Sequence, residues 1–147
     1  MKKIRIAING FGRIGRAFFR VAKDVPELEI VAINDLCDAE NIAYLLKYDS
    51  AYGKSNFDVS VKGKSLITEG KEILSLAQKD PSKLPWKDLD IDIVVESTGA
   101  FTSYEKSKAH LDVGAKRVVV TAPVEDAPPA GISGETVLMG VNDNALE

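Results

Sequence analysis

Six residues, Gly10-Phe11-Gly12-Arg13-Ile14-Gly15, constrain this chain more than any others. They fit G-x-G-x-x-G, and their flanks say how they sit. Before them, Ile4, Ile6 and Ile8 alternate with Arg5 and Ala7, the period of a short buried strand. After them, Ala17-Phe18-Phe19-Arg20-Val21-Ala22-Lys23 has helical spacing, and Pro26 closes the segment. Glycines cluster in many turns, so the hexapeptide alone is a weak signal and a turn with no ligand is the plain alternative. Between a strand and a helix it becomes a dinucleotide fingerprint. Gly10 permits the tight turn, Gly12 lets a pyrophosphate approach the backbone, and Gly15 lets helix pack closely on strand. The helix start then offers free N–H groups and a positive dipole end to phosphates.

The fingerprint also asks for an acid at the end of the second strand. Glu29-Ile30-Val31-Ala32-Ile33 reads as that strand, and Asp35 follows it, about 20 residues after Gly15. A carboxylate there accepts hydrogen bonds from the adenosine ribose hydroxyls and repels a 2′-phosphate. Leu36 and Cys37 come next, with no basic residue beside the acid, so the pattern selects NAD over NADP. Alone, Asp35 would read as a solvated turn acid or a helix cap; the glycines change that. A third element, Ser97-Thr98-Gly99-Ala100-Phe101, follows the strand expected at Ile91 to Glu96. Small residues at the carboxyl end of a parallel strand line the crevice where dinucleotides lie, and Phe101 is expected to wall its adenine side. Ser103 reads as the cap of the next helix.

Between these landmarks, Asp38 is a candidate cap for a helix burying Ile42, Ala43, Leu45 and Leu46. Phe57 to Leu76 holds short alternating runs divided by Gly63 and Gly70, an antiparallel excursion of hairpins. Pro81, Pro85 and Trp86 mark a turn-rich connection. Ser103 to Val113 is helix-like and ends at Gly114. Val118, Val119 and Val120 form a continuous apolar strand, expected to be covered on both faces. A last short strand is expected at Thr136 to Gly140. The alternation of strand and helix predicts a Rossmann-type, doubly wound α/β fold: one domain over 1–147, with a mostly parallel sheet and a small antiparallel excursion.

Composition removes other classes. The net charge of −3 supplies no basic field for nucleic acid or an acidic membrane. Apolar runs are too short to span a bilayer, and Met1-Lys2-Lys3 leads into a strand rather than a signal-peptide core. One cysteine, Cys37, and one histidine, His110, build neither a disulfide framework nor a structural zinc site; a cytoplasmic setting is expected.

Longer segments carry a specific likeness. Ala7 to Arg16, Val31 to Asp35, Tyr44 to Ser50, Ser97 to Gly99, Gly114 to Val118, Thr121 to Pro123 and Met139 to Asn142 resemble the glyceraldehyde-3-phosphate dehydrogenases in order and spacing. The likeness runs through essentially the whole chain. Erythrose-4-phosphate dehydrogenases are a close sister group and a narrower alternative. The resemblance implies that the backbone of Gly10, Phe11, Gly12, Arg13 and Ile14 holds the pyrophosphate. Asn34 and Asp35 lie at the adenosine ribose, and Lys79 near the adenine. Ser97, Thr98, Gly99 and Phe101 line the adenosine side, and Thr121 lies towards the nicotinamide. Two departures stand out: Val124-Glu125-Asp126 follows Ala-Pro where the family usually carries a lysine, and the loop from Ala127 to Glu135 is longer.

The resemblance also implies what to look for and not find. The family's chemistry uses a Ser-Cys-Thr-Thr-Asn motif and a distant histidine base: thiolate attacks aldehyde, hydride passes to NAD, and phosphate releases the acyl group. That motif is expected just beyond Glu147. Cys37, beside the ribose-binding acid, is at the wrong end of the cofactor to replace it, and His110 reads as a surface or packing residue of a helix. The chain is therefore expected to be a truncated NAD-binding half of a phosphorylating dehydrogenase. It should bind NAD without oxidising aldehydes, lack the catalytic domain of its homotetrameric parent, and tend to self-associate through uncovered apolar surface. Two other readings are a stand-alone NAD-binding module and an NADP-dependent semialdehyde dehydrogenase or reductase, the latter disfavoured by Asp35.

Overall fold

A computed structural model describes residues 2–146. Alternation in the first strand sets the layers. In β1 (Ile4–Asn9), Ile6 and Ile8 enter one hydrophobic cluster while Ala7 enters another on the opposite face. The same split recurs in β2 (Leu28–Asn34), where Ile33 and Ala32 part, and in β8 (Ile93–Glu96), where Val95 and Val94 part. Successive side chains of a strand point to opposite faces, so each buried strand feeds two cores. Helices α1 (Arg13–Ala22) and α2 (Ala39–Lys47) cover the first face through Phe19, Ile42 and Leu46. The second face is covered by Leu84, Trp86, Val113 and Ala115, from the connection before β8 and the end of α3 (Tyr104–Asp112).

The main sheet has seven strands in the order β5-β6-β7-β2-β1-β8-β9. β5 (Val59–Lys62), β6 (Ser65–Thr68) and β7 (Lys71–Leu76) form the expected antiparallel hairpins. β7 does more than the sequence reading foresaw: its end pairs parallel with β2, so the excursion is the sheet's continuation rather than a separate appendage. β8 and β9 (Arg117–Val120) extend the parallel region past β1. Two two-residue strands, β3 (Tyr48–Asp49) and β4 (Gly53–Lys54), make a small hairpin after α2.

Helix ends follow local chemistry. The Asp38 carboxylate accepts from the N–H of Asn41 at 2.7 Å, and the Ser103 hydroxyl accepts from the N–H of Lys106 at 3.1 Å. Each satisfies a donor left free by the first turn. α3 has a second cap from outside: Asp126 accepts from the N–H groups of Tyr104 and Glu105 at 2.7 and 3.1 Å. The residue that departs from the family pattern thus ties its loop to a helix. Gly114 ends α3 in the left-handed region, pressed against the backbone of Lys87.

Two expectations need correction. Val118 to Val120 is not covered on both faces: β9 is the sheet's edge, and Val119 is 51% exposed. A continuous valine run reports strand propensity and says nothing of which neighbours arrive. Thr136 to Gly140 makes no ladder; residues 136–138 are irregular and 139–140 lie in a turn, because no strand among the described residues pairs with them. In the α3 segment Ser107 and His110 are buried, and the apolar Ala109, Leu111 and Val113 are half-buried. Leu45 in α2 is half-buried as well.

Candidate functional site

The strand order turns at β1. From β1 the chain crosses through α1 to β2 on one side; later it enters β8 on the other. That switch point opens a crevice at the carboxyl ends of β1 and β8, where open α/β sheets bind ligands. The glycine turn leaves β1 into this crevice and Ser97-Thr98-Gly99 leaves β8 into it.

The three glycines differ physically. Gly10 has φ +88°, and a Cβ there would lie 2.6 Å from the Thr98 nitrogen and 2.7 Å from the Ser97 carbonyl carbon. Gly15 would drive a Cβ to 2.2 Å from the Gly10 oxygen. These two close the turn onto its neighbours. Gly12 faces open space, with no atom within 4 Å of its missing Cβ. It also starts α1, whose first closing bond runs from Arg16 N–H to Gly12 O at 3.0 Å. The leading N–H groups of the helix therefore have no carbonyl partners and point out beside an unfilled cradle. Arg13 and Ile14 are exposed at that end, whereas Phe11 is buried against Phe19, leaving only its backbone to the turn.

Asp35 stands next to this cradle. One carboxylate oxygen accepts from Phe11 N–H at 2.7 Å, the other from Cys37 N–H at 3.0 Å. The acid is thus fixed against the glycine turn, with further lone pairs available to hydroxyl donors. Asn34 is buried beneath it. Its carbonyl oxygen accepts from Gln78 N–H at 2.8 Å, and its amide donates to Gln78 O at 2.9 Å and to the Asn9 side chain at 2.7 Å. Asn34 therefore clamps the chain leaving β7 and brings Lys79, exposed and one residue on, to the Asp35 side of the crevice.

On the other wall, the Ser97 hydroxyl donates to Gly10 O at 2.8 Å, joining the two loops. Thr98 donates through its N–H and its hydroxyl to one oxygen of Glu96, at 2.9 and 2.5 Å, and Gly99 turns through φ +74°. Phe101 is half-buried, its ring edge-on to His110 at 6.3 Å between centroids. Thr121 leaves β9 with its N–H and hydroxyl on Glu96 O at 3.0 and 3.2 Å. Of the thirteen expected site residues, Arg13 and Ile14 open α1 and the other eleven lie at the carboxyl ends of β1, β2, β7, β8 and β9 or in the segments that leave them.

The sequence that builds this site has relatives. The family model described as glyceraldehyde 3-phosphate dehydrogenase, NAD binding domain matches residues 4–104. The chain belongs to the glyceraldehyde-3-phosphate dehydrogenase family. It is 48% identical to the glyceraldehyde-3-phosphate dehydrogenase of Geobacillus stearothermophilus, with 98% of this chain and 41% of that protein aligned. With the protein of the same name from Thermotoga maritima it shares 50% identity over 97% of this chain and 42% of the relative. The cytosolic glyceraldehyde-3-phosphate dehydrogenase of Trypanosoma brucei brucei is 47% identical over 89% of this chain and 40% of its own length. The chain thus spans about two-fifths of these relatives. It carries the NAD-binding domain of the glyceraldehyde-3-phosphate dehydrogenase family.

Sequence reasoning missed what lies under the crevice. Asn9, Glu96, His110 and Trp86 are all at most 2% exposed. The second oxygen of Glu96 accepts from Asn9 Nδ2 at 2.5 Å and faces His110 Nε2 at 2.9 Å; Trp86 Nε1 donates to His110 Nδ1 at 2.9 Å. An indole nitrogen only donates, so His110 Nδ1 must accept and the ring proton sits on Nε2. His110 is therefore a buried hub, a packing residue of its helix and not a surface one. Burial pushes the Glu96 pKa up, but hydrogen bonds from His110, Thr98 and Asn9 outweigh it and hold the carboxyl below its ordinary value. A signal existed in the sequence: Asn9 and Glu96 are polar endings on otherwise apolar strands, and they pair in register.

Cys37 is exposed, and its thiol pKa is raised, first by its hydrogen bond to Asp35, then by what burial it has and by the charge of Asp35. It stays a thiol where a nucleophile needs a thiolate.

Proposed function

We propose that this chain is the cofactor-holding part of a phosphorylating glyceraldehyde-3-phosphate dehydrogenase, and that it binds NAD without itself oxidising an aldehyde. The observation that carries the reading is the open cradle at Gly12, set between the free N–H groups of α1 and the fixed carboxylate of Asp35. The backbone from Gly10 through Phe11, Gly12 and Arg13 to Ile14 would hold the pyrophosphate by N–H donation. Asp35, held by Phe11 and Cys37 N–H, would accept from the adenosine ribose, and Asn34 would lie beside it at that ribose. Lys79 would border the adenine; Ser97, Thr98, Gly99 and Phe101 would form the facing wall, and Thr121 would lie towards the nicotinamide. NAD, when bound, supplies the hydride acceptor.

The nucleophile and base of the reaction would come from a catalytic domain of the same protein. Cys37 is a thiol beside the ribose acid, and both His110 ring nitrogens are occupied in the core. The parent is proposed to be a cytoplasmic homotetramer. Val119, Leu138, Met139 and Val141 are exposed apolar residues at the β9 edge and in the C-terminal stretch, and they would drive self-association of the chain alone. Sedimentation that gives a monomer at all concentrations would remove that last element.

Calorimetric titration with NAD and NADP tests the core of the proposal. NAD binding that is lost in Asp35→Ala, with little binding of NADP, is expected. Equal binding of both cofactors, or NADH formation by this chain alone from an aldehyde and phosphate, would refute it.

A further inference from the structure

We propose that Glu96 is a positioning residue for the cofactor: its carboxylate gathers a one-way set of hydrogen bonds from the core and holds the Thr98–Phe101 turn in binding shape. The inference rests on the reading that this turn lines the NAD site. Its force lies in direction. Gln78 N–H can only donate, which fixes the Asn34 oxygen there and aims the Asn34 amide at Asn9 Oδ1. The Asn9 amide is then aimed at Glu96. Trp86 Nε1–H can only donate, which forces the His110 proton onto Nε2 and aims it at Glu96 as well. The Thr98 N–H, a third fixed donor, meets the other oxygen, and the Thr98 hydroxyl accepts from Ala100 N–H at 3.1 Å while giving its own proton to Glu96. Four donors converge on one group, and each is locked at its far end. Only a group with two accepting oxygens fits the centre.

A glutamine there has the right size and the wrong direction. Its NH2 cannot face Thr98 N–H, so it must face Asn9 and His110, where two donors already point. His110 cannot turn its proton to Nδ1 while Trp86 donates into that nitrogen. Removing the indole donor should release this lock. In Trp86→Phe the ring can move its proton to Nδ1, and Nε2 becomes an acceptor for an amide at position 96 or for Asn9, whose Nδ2 already lies 3.4 Å away. A role in packing alone predicts instead that two damaging changes in one core add.

The experiment measures NAD affinity by calorimetry for the unaltered chain, E96Q, W86F and E96Q/W86F, and the ring nitrogens of His110 by 15N NMR. His110 is the only histidine, so its signals need no assignment. Expected are an Nε2-protonated ring in the unaltered chain and an affinity about tenfold weaker in E96Q, the scale of one lost hydrogen bond to a charged group. W86F gives the reference for the pair, and the double variant should bind more tightly than E96Q. An Nδ1-protonated or doubly protonated ring at neutral pH overturns the inference, even if E96Q does not fold. So does E96Q binding like the unaltered chain, or a double variant no better than E96Q. Absence of NAD binding by the unaltered chain would instead bring down the NAD-site reading, and this inference with it.

Discussion

Adding one methyl group at Gly10 should damage the fold, while adding it at Gly12 should damage only binding. At Gly10 two terms act. An L-residue at φ +88° sits in the left-handed region, at about 1–2 kcal/mol. The new Cβ also meets backbone at 2.6–2.7 Å, and backbone cannot rotate aside as a side chain can. Overpacking of that kind costs about 1–3 kcal/mol. The sum, about 2–5 kcal/mol, is a large share of the roughly 5–15 kcal/mol that holds a domain. With a urea m-value of about 2 kcal/mol/M, the midpoint of Gly10→Ala should fall by about 1–2.5 M. At Gly12, φ is −74° and no atom lies within 4 Å of the new methyl. Only the poorer helix-capping tendency of alanine remains, about 0.5–1 kcal/mol. Its methyl nevertheless occupies the space through which a pyrophosphate would reach the helix N–H groups, so NAD affinity should drop about tenfold or more. Paired urea melts and calorimetric titrations read both effects. A Gly10→Ala midpoint within about 0.3 M of the unaltered chain, or a Gly12→Ala chain that binds NAD normally, would refute the division of labour between these glycines.

Other perturbations follow from single contacts. Leu46→Ala empties a fully buried site between α2 and the sheet and should destabilise by about 2–5 kcal/mol in a denaturant melt. Ser103→Ala removes one capping bond of α3 and should cost about 1 kcal/mol, less than its usual full effect if Asp126 compensates from the loop. Glu96 makes stability pH-dependent: its folded pKa lies below the ordinary value, so its contribution is complete above the ordinary carboxylate range and is lost as pH falls through the depressed value. Urea midpoints measured from pH 7 down to 3 should therefore fall more steeply for the unaltered chain than for E96Q.

How far the sequence could be read depended on how local each signal was. The alternation of Ile6 and Ile8 against Ala7 is written in consecutive residues, as are the caps at Asp38 and Ser103, and each survives in the structure. The G-x-G-x-x-G turn and Asp35 were legible as a pair because their spacing is set by one strand-helix-strand unit. The hydrogen bond from Phe11 N–H to Asp35 joins them in space. What escaped was non-local. Nothing within Lys71 to Leu76 tells that its last residues pair with β2, roughly forty residues earlier. Nothing within the Val118–Val120 run tells that it ends a sheet. A strand at Thr136 to Gly140 was inferred from its residue types, but a strand is made by a partner, and none pairs with it among the described residues.

The same distinction explains why the polar core is not legible in the sequence. Asn9, Asn34 and Glu96 end three adjacent strands, and register sets Asn9 against each of the others. Apolar endings there would pack the sheet equally well but would leave the three exit loops free to move separately. Polar endings with locked donors tie the glycine turn, the β7 exit and the Thr98 turn to one carboxylate. Buried polar groups stabilise little unless every member is satisfied, and a half-satisfied set is worse than none. Here the donors and acceptors match one for one at Glu96, so the arrangement can fix the loops without leaving a buried polar atom unpaired. E96Q should therefore lower the urea midpoint at neutral pH and NAD affinity together; a midpoint loss with unaltered affinity would mark the network as a structural brace and nothing more.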